Sequence, residues 1–199
     1  MSSIATIRED LFAMFSHGES VGSASIVKET RDTPCREDQH WLELRENDVP
    51  WMNNFCSEDY SHQVLEAEAH GRVLVAGLGL GGDVLILRNK PEVTSIVVVE
   101  QSQDIKDLVW PRIRGPRSAI EVGEISVYMA THPLERFDTL WIDIYLERAD
   151  ERSADRSRLG LLMRPILNPG GTVMMWNWFN SETVVVDAVD IPVPPVIIR

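Results

Sequence analysis

Glu100, Glu124 and Asp143 each close a short apolar run, and the earlier run Val73 to Ala76 opens into four glycines, Gly77, Gly79, Gly81 and Gly82. In RVLVAGLGLGGD the glycines can adopt positive φ and let a ligand approach the backbone, just before a helix N-terminus. The loop also satisfies G-x-G-x-x-G through Gly77, Gly79 and Gly82, a pattern shared with nicotinamide enzymes and compatible with a plain strand-to-helix turn. Glu100 ends the next run about twenty residues further on, where a carboxylate can accept both hydrogen bonds from a ribose diol. Gln101 follows it on the same rim. Glu124 could accept from an adenine amino group while Ile125 packs on the ring. Asp143 follows the very apolar FDTLWI and could orient a substrate amine or take its proton, with Tyr145 lining the same pocket. Against each acid stands the plainer role of a solvated or capping carboxylate.

These side chains need elements to hold them on one edge. VLVAGLG, SIVVVE, IEVGE, FDTLWIDIY and GTVMMWNWF read as strands buried on both faces of a parallel sheet. GDVLILRNK, QDIKDLVWPRI and ADRSRLGLLMRPIL have the length of crossover helices, so the expected fold is α/β: a Rossmann-like, doubly wound and mainly parallel sheet. Ahead of it, residues 4 to 16 have helical spacing, with Ile4, Ile7, Leu11, Phe12 and Phe15 on one face. SASIVKET and HWLELREN suit two strands separated by the polar RDTPCREDQ, and SEDYSHQVLEAEA suits a helix ended by Gly71. The expected division is an extension of helix and β-hairpin over 1–70 and an adenosyl-cofactor-binding domain over 71–199. The tail from Val184 is β-branched, but Pro192, Pro194 and Pro195 confine it to an edge strand or an extended arm.

A net charge of -12 disfavours nucleic acid, whose binding needs clustered Lys and Arg. It favours a cationic substrate or a basic protein surface, or serves solubility alone. No apolar run reaches membrane-spanning length, and the N-terminus carries acids where a secretory leader would be basic. Cys35 and Cys56 stand far apart without C-x-x-C spacing or a nearby His cluster, so neither a metal site nor a redox motif is expected and a cytoplasmic location is the default. The six tryptophans, Trp141, Trp176 and Trp178 among them, suit core packing or a pocket lining. The N-terminal helix and the tail are candidate dimerisation elements.

The order VLVAGLGLGG, VVVE, VGEISVYM, FDTLWIDIY and LMRPILNPGGTVMMW resembles the class I S-adenosylmethionine-dependent methyltransferase fold. In detail it is most similar to the polyamine aminopropyltransferases, the spermidine synthase family, over residues 40 to 178. VLVAGLGLGG matches that family's VLIIGGGDGG, and VGEISVYM matches its VGDGFEFM with Glu124 at the adenine-binding acid. The resemblance implies binding of S-adenosylmethionine or its decarboxylated form by Gly77, Gly79, Gly81, Gly82, Glu100, Gln101, Glu124, Ile125 and Asp143. Two departures bear on the reaction. Leu146 stands where the second acid of D-x-x-D-P belongs, and Leu80 replaces the acid inside the loop. The chain also lacks the family's long C-terminal portion, so either another subunit completes the pocket or the substrate differs.

The expected function is therefore transfer of a methyl group to a small-molecule acceptor. The alternatives are aminopropyl transfer, a catalytically silent nucleoside-binding or regulatory subunit, and a nicotinamide-dependent oxidoreductase. VGE and NPGG fall outside the dinucleotide fingerprint and count against the last.

Overall fold

The computed structural model describes residues 4–33, 36–54, 58–144, 163–175 and 184–187, and the structural statements below concern these. The first helix, α1 (Ile4–Met14), buries Ile7 and Leu11, with Phe15 just beyond its end. These positions are four apart and so line one stripe. Phe12 sits at the side of that stripe, stacked on His40 with ring centroids 4.3 Å apart and Lys28 over its outer face.

Four antiparallel strands follow, β1 (Ser20–Val21), β2 (Ala24–Thr33), β3 (Arg36–Glu46) and β4 (Val49–Asn53), in the order β1-β2-β3-β4. The β2–β3 hairpin was expected, but its strands run on through most of the polar RDTPCREDQ stretch, pairing Arg31 with Gln39 and Thr33 with Arg36. Ladder hydrogen bonds use the backbone, so polar side chains do not end a strand. β3 turns into β4 through Asn47 and Asp48, at φ 52° and 62°. Two positive φ values make the two-residue turn whose twist matches the flanking strands, and Asn and Asp tolerate it best after glycine. Asn54 anchors the exit: its side chain accepts from the Leu42 N–H at 2.8 Å and donates to the His40 carbonyl at 2.9 Å.

Helix α2 (Glu58–Glu68) leads into the second sheet, which is ordered β10-β9-β8-β5-β6-β7. Its strands are β5 (Gly71–Ala76), β6 (Val93–Glu100), β7 (Ser118–Val122), β8 (Phe137–Ile142), β9 (Leu167–Met175) and β10 (Val184–Asp187). The five from β9 to β7 run parallel, and β10 lies antiparallel on the edge. Helices α3 (Gly82–Arg88), α4 (Gln103–Ile113) and α5 (Ile125–Thr131) fill the crossovers. The fold is the expected Rossmann-like α/β arrangement.

Alternation along the strands separates two cores. Val73, Val75, Ile96, Val98, Trp141 and Met174 meet α1, α2, α3, α4 and the small sheet. Leu74, Ala76, Val99, Leu140, Ile142 and Val173 meet α5, Met163 and Ile166. Two strand expectations need correcting. β7 is not buried on both faces, because it is the sheet edge and leaves Glu121 and Val122 exposed. NPGG does not precede the last parallel strand but lies within β9, where the pairing with β8 jumps from Phe137↔Leu167 to Thr139↔Thr172. Extra residues on one strand form a bulge. Most of the expected helix ADRSRLGLLMRPIL, both cysteines, Trp176, Trp178 and the Pro-containing part of the tail lie outside the described residues. No helix among the described residues is long and apolar enough to cross a membrane.

Candidate cofactor site

β5 ends at Ala76 because the chain must leave the sheet to start α3, and the register of three strands fixes where it leaves. The Gly77 N–H donates to the Val99 carbonyl and the Asp143 N–H to the Ala76 carbonyl, both at 2.9 Å. Gly77 has φ 96°, and a Cβ there would run into the Asp143 carbonyl oxygen. No other residue fits that position without moving β8. Gly81 caps α3 at φ 82°, with the Ile113 side chain of α4 filling the space a Cβ would need.

The acids reach the same rim by strand order. Ala76 pairs with Val99 and Ile142, and Glu100 with Val122. Gly77, Glu100, Glu124 and Asp143 therefore stand within two residues of the carboxyl ends of neighbouring parallel strands, the edge where ligands of open α/β sheets bind. Gln101 is exposed beside Glu100, and Glu124 is exposed with Ser126 Oγ donating to it at 2.6 Å. Ile125 is buried in the core under α5. Tyr145 and Leu146 lie outside the described residues.

Glu100 is only 4% exposed, and its two oxygens are used differently. Oε2 accepts from the Leu78 N–H of the glycine loop and Oε1 from the Ser102 N–H ahead of α4, each at 2.8 Å. One carboxylate thus ties the loop to the start of the next helix. Burial raises its pKa, the Ser102 and Leu78 N–H groups pull it back, and the nearby charge of Glu46 pushes it up again, with a net rise. An ionised carboxylate has about four lone-pair sites, so two backbone donors leave capacity for a diol.

The small sheet closes over this loop, which the sequence did not indicate. Met52 of β4 rests its sulfur against Gly79 and accepts from the Leu80 N–H at 3.2 Å. Glu46 at the end of β3 accepts from Ser102 Oγ at 2.5 Å. Ser102 in turn caps α4 by accepting from the Ile105 N–H, and Asp104 accepts from both the N–H and Oγ of Ser23 at 2.8 and 2.9 Å. The hairpin ends are therefore docked on the helix that begins beside Glu100.

Behind the loop lies a second group of acids. Asp83, in the first turn of α3, is buried; its Oδ2 accepts from Trp141 Nε1 at 2.8 Å and its Oδ1 lies 3.3 Å from His62 Nε2. The His62 ring also lies against Gly82, 3.4 Å from where a Cβ would be. Asp143 keeps some residue surface in solvent while its carboxyl is enclosed. Burial and the Asp83 charge push that carboxyl up to about 7, with His62 opposing them. His62 and Asp83 were not among the expected site residues. Asp83 stood in the sequence as the last residue of the glycine motif, but His62 carries no local signal.

No protein-family model and no curated protein matches this chain. Solved structures do match. A protein described as a methyltransferase and complexed with SAH aligns over 80% of this chain and 43% of its own, with 14% identity and a TM-score of 0.53. The fold is that of the class I methyltransferases. A protein from Streptococcus mutans, described as a SAM-dependent methyltransferase, aligns over the same shares with 12% identity and a TM-score of 0.52. At such identities the likeness is one of fold. This chain spans less than half the length of either neighbour.

Proposed function

We propose that this chain binds S-adenosylmethionine on the rim formed by β5, β6, β7 and β8 and transfers the methyl group to a small-molecule acceptor. The observation that carries the reading is the convergence of the Gly77 turn, Glu100, Glu124 and Asp143 on adjacent strand ends. The bound product in one fold neighbour supports the choice of cofactor. The residues present suit the group: the glycines let the loop make its tight turn against the Asp143 carbonyl and the Met52 sulfur, and Glu100 beside it retains acceptor sites for a diol.

In this reading Glu100 holds the ribose hydroxyls while keeping the loop fixed through Leu78. Gln101 borders the sugar, Glu124 accepts from the adenine amino group, and Ile125 keeps the apolar floor under α5. When bound, the cofactor supplies a methyl already activated by a sulfonium, so the protein's share is alignment and proton removal. Asp143 is suited to the second task, since a carboxyl pushed up to about 7 is a competent base near neutral pH. The net charge of -12 favours approach of a cationic acceptor.

One sequence feature favours a second reading. VGEISVYM is closest to the aminopropyltransferase pattern, so decarboxylated S-adenosylmethionine is the alternative donor, while Leu146 in place of the second acid favours methyl transfer or a silent nucleoside-binding subunit. A thermal-shift panel separates these. S-adenosylmethionine and S-adenosylhomocysteine should raise the melting temperature, a larger rise with the decarboxylated donor would favour aminopropyl transfer, and a response to NAD alone would overturn both.

A further inference from the structure

Leu78 and Leu80 are buried in the core, so the glycine turn meets a ligand through its backbone. Four of its N–H groups already have acceptors. Gly77 donates to the Val99 carbonyl and Gly81 to the Leu78 carbonyl, both at 2.9 Å. Leu78 donates to the Glu100 carboxylate. The fourth bond differs in kind: the Leu80 N–H donates to Met52 Sδ at 3.2 Å, and the same sulfur rests on Gly79. Carbonyl and carboxylate oxygens are strong acceptors, whereas a thioether is a weak one.

Met52 is also the most movable of these acceptors. It is half-buried on β4, which pairs with β3 alone at the edge of the small sheet. Asn54 pins the chain just beyond it, so the side chain can swing while the strand stays. An unbranched thioether side chain has three rotatable bonds and adapts readily. Strand order says what it would swing away from. With the ribose at Glu100 after β6 and the acceptor at Asp143 after β8, the turn after β5 lies between them. The sulfur and amino-acid tail of a bound donor therefore cross the turn where Met52 stands.

We propose that Met52 is a specificity-determining residue of the donor site: its thioether holds the Leu80 N–H in place of the donor's carboxylate and yields to a donor that carries one. The proposal rests on the methyltransferase reading in placing the adenosyl group on this rim. A charge-assisted hydrogen bond is roughly twice as strong as a neutral one, so the carboxylate of S-adenosylmethionine offsets the displacement of Met52. A decarboxylated donor brings only an ammonium, which cannot accept a hydrogen bond. It either keeps its tail off the turn or strands the Leu80 N–H, and it loses affinity both ways. Met52 thereby selects the methyl donor over the aminopropyl donor, although the two share one nucleoside.

The test is titration calorimetry of the full chain with three ligands: S-adenosylhomocysteine, S-adenosyl-3-thiopropylamine, which lacks only the carboxylate, and 5′-methylthioadenosine, which lacks the whole tail. The unmutated chain should bind S-adenosylhomocysteine at least about tenfold more tightly than the amine. Equal affinity for those two would overturn the selection. Met52→Ala should raise the affinity for S-adenosylhomocysteine relative to 5′-methylthioadenosine about three- to tenfold, because the tail no longer has a side chain to displace. A side chain that only braces the loop would shift both affinities by one factor, and an unchanged ratio would overturn the proposal. Should the variant fail to fold, the Leu80 amide proton of the unmutated chain still decides. Saturating S-adenosylhomocysteine should move its NMR signal downfield of its place with 5′-methylthioadenosine, and coincident signals would contradict the exchange of acceptors. Failure of the cofactor reading would look different, as no heat with any of the three ligands.

Discussion

Replacing Glu100 with Gln changes one oxygen to an amide and keeps the shape of the side chain. In the structure each carboxylate oxygen accepts a backbone N–H, from Leu78 on one side and Ser102 on the other. An amide can accept on only one of the two, so its NH2 must face a donor that is also N–H. Hydrogen bonds to a charged group contribute about 1.5–3 kcal/mol, and a buried donor left unpaired costs a similar amount. Relief of the burial that raises the Glu100 pKa offsets part of this, so unfolding free energy should fall by about 1–3 kcal/mol. The ribose diol loses its charged acceptor as well. Affinity for S-adenosylhomocysteine, measured by titration calorimetry well below the melting temperature, should drop roughly 10- to 150-fold. A folded variant that binds with unchanged affinity would refute the ribose role, and unchanged stability would refute the tie between the loop and α4.

Gly77→Ala forces a Cβ against the Asp143 carbonyl at φ 96°; a stability loss of about 1–3 kcal/mol and more than tenfold weaker cofactor binding should follow. Wild-type behaviour in both would show that the turn is not strained as described. Met52→Ala removes a half-buried side chain from the glycine loop and should lower unfolding free energy by about 1–2 kcal/mol in urea denaturation; no change would mean that Met52 does not brace the loop. The raised Asp143 pKa makes a signed prediction about pH. Its folded value, about 7, exceeds the model carboxylate value of 3.8, so between these the folded state holds more protons than the unfolded one. Stability from this group is present at low pH and is lost as pH rises toward 7. Asp143→Asn should flatten that decline in melting temperature between pH 4 and pH 7, leave cofactor affinity nearly intact and lower turnover. A variant with an unaltered pH profile would place the carboxyl in water.

The rim was legible in the sequence because each of its parts is local. An apolar strand, the glycines that must leave it and an acid at the next strand end all lie in one stretch, and parallel order brings their ends together without further information. α4 was legible from end to end as QDIKDLVWPRI. What the sequence hid depends on register between distant segments. Met52 and Glu46 reach the site only because Asn47 and Asp48 reverse the chain and the hairpin docks on α4 through Ser23 and Asp104. β4 itself was missed, since Pro50 breaks the strand pattern while an edge position tolerates it. His62 lay unmarked inside SEDYSHQVLEAEA, expected only as a helix, and it is the packing of α2 on α3 that turns it toward Asp83. The edge place of β7 was likewise invisible, because alternation cannot say which strand is last in a sheet.

The central claim is that an adenosyl group sits on this rim with its ribose on Glu100. A crystal structure of the complex with S-adenosylhomocysteine tests it most directly. The account predicts both ribose hydroxyls within hydrogen-bonding distance of the Glu100 carboxylate and the adenine beside Glu124 and Ile125. A nucleoside bound elsewhere, or a rim that stays empty at saturating ligand while Glu100 keeps only its two backbone donors, would contradict it.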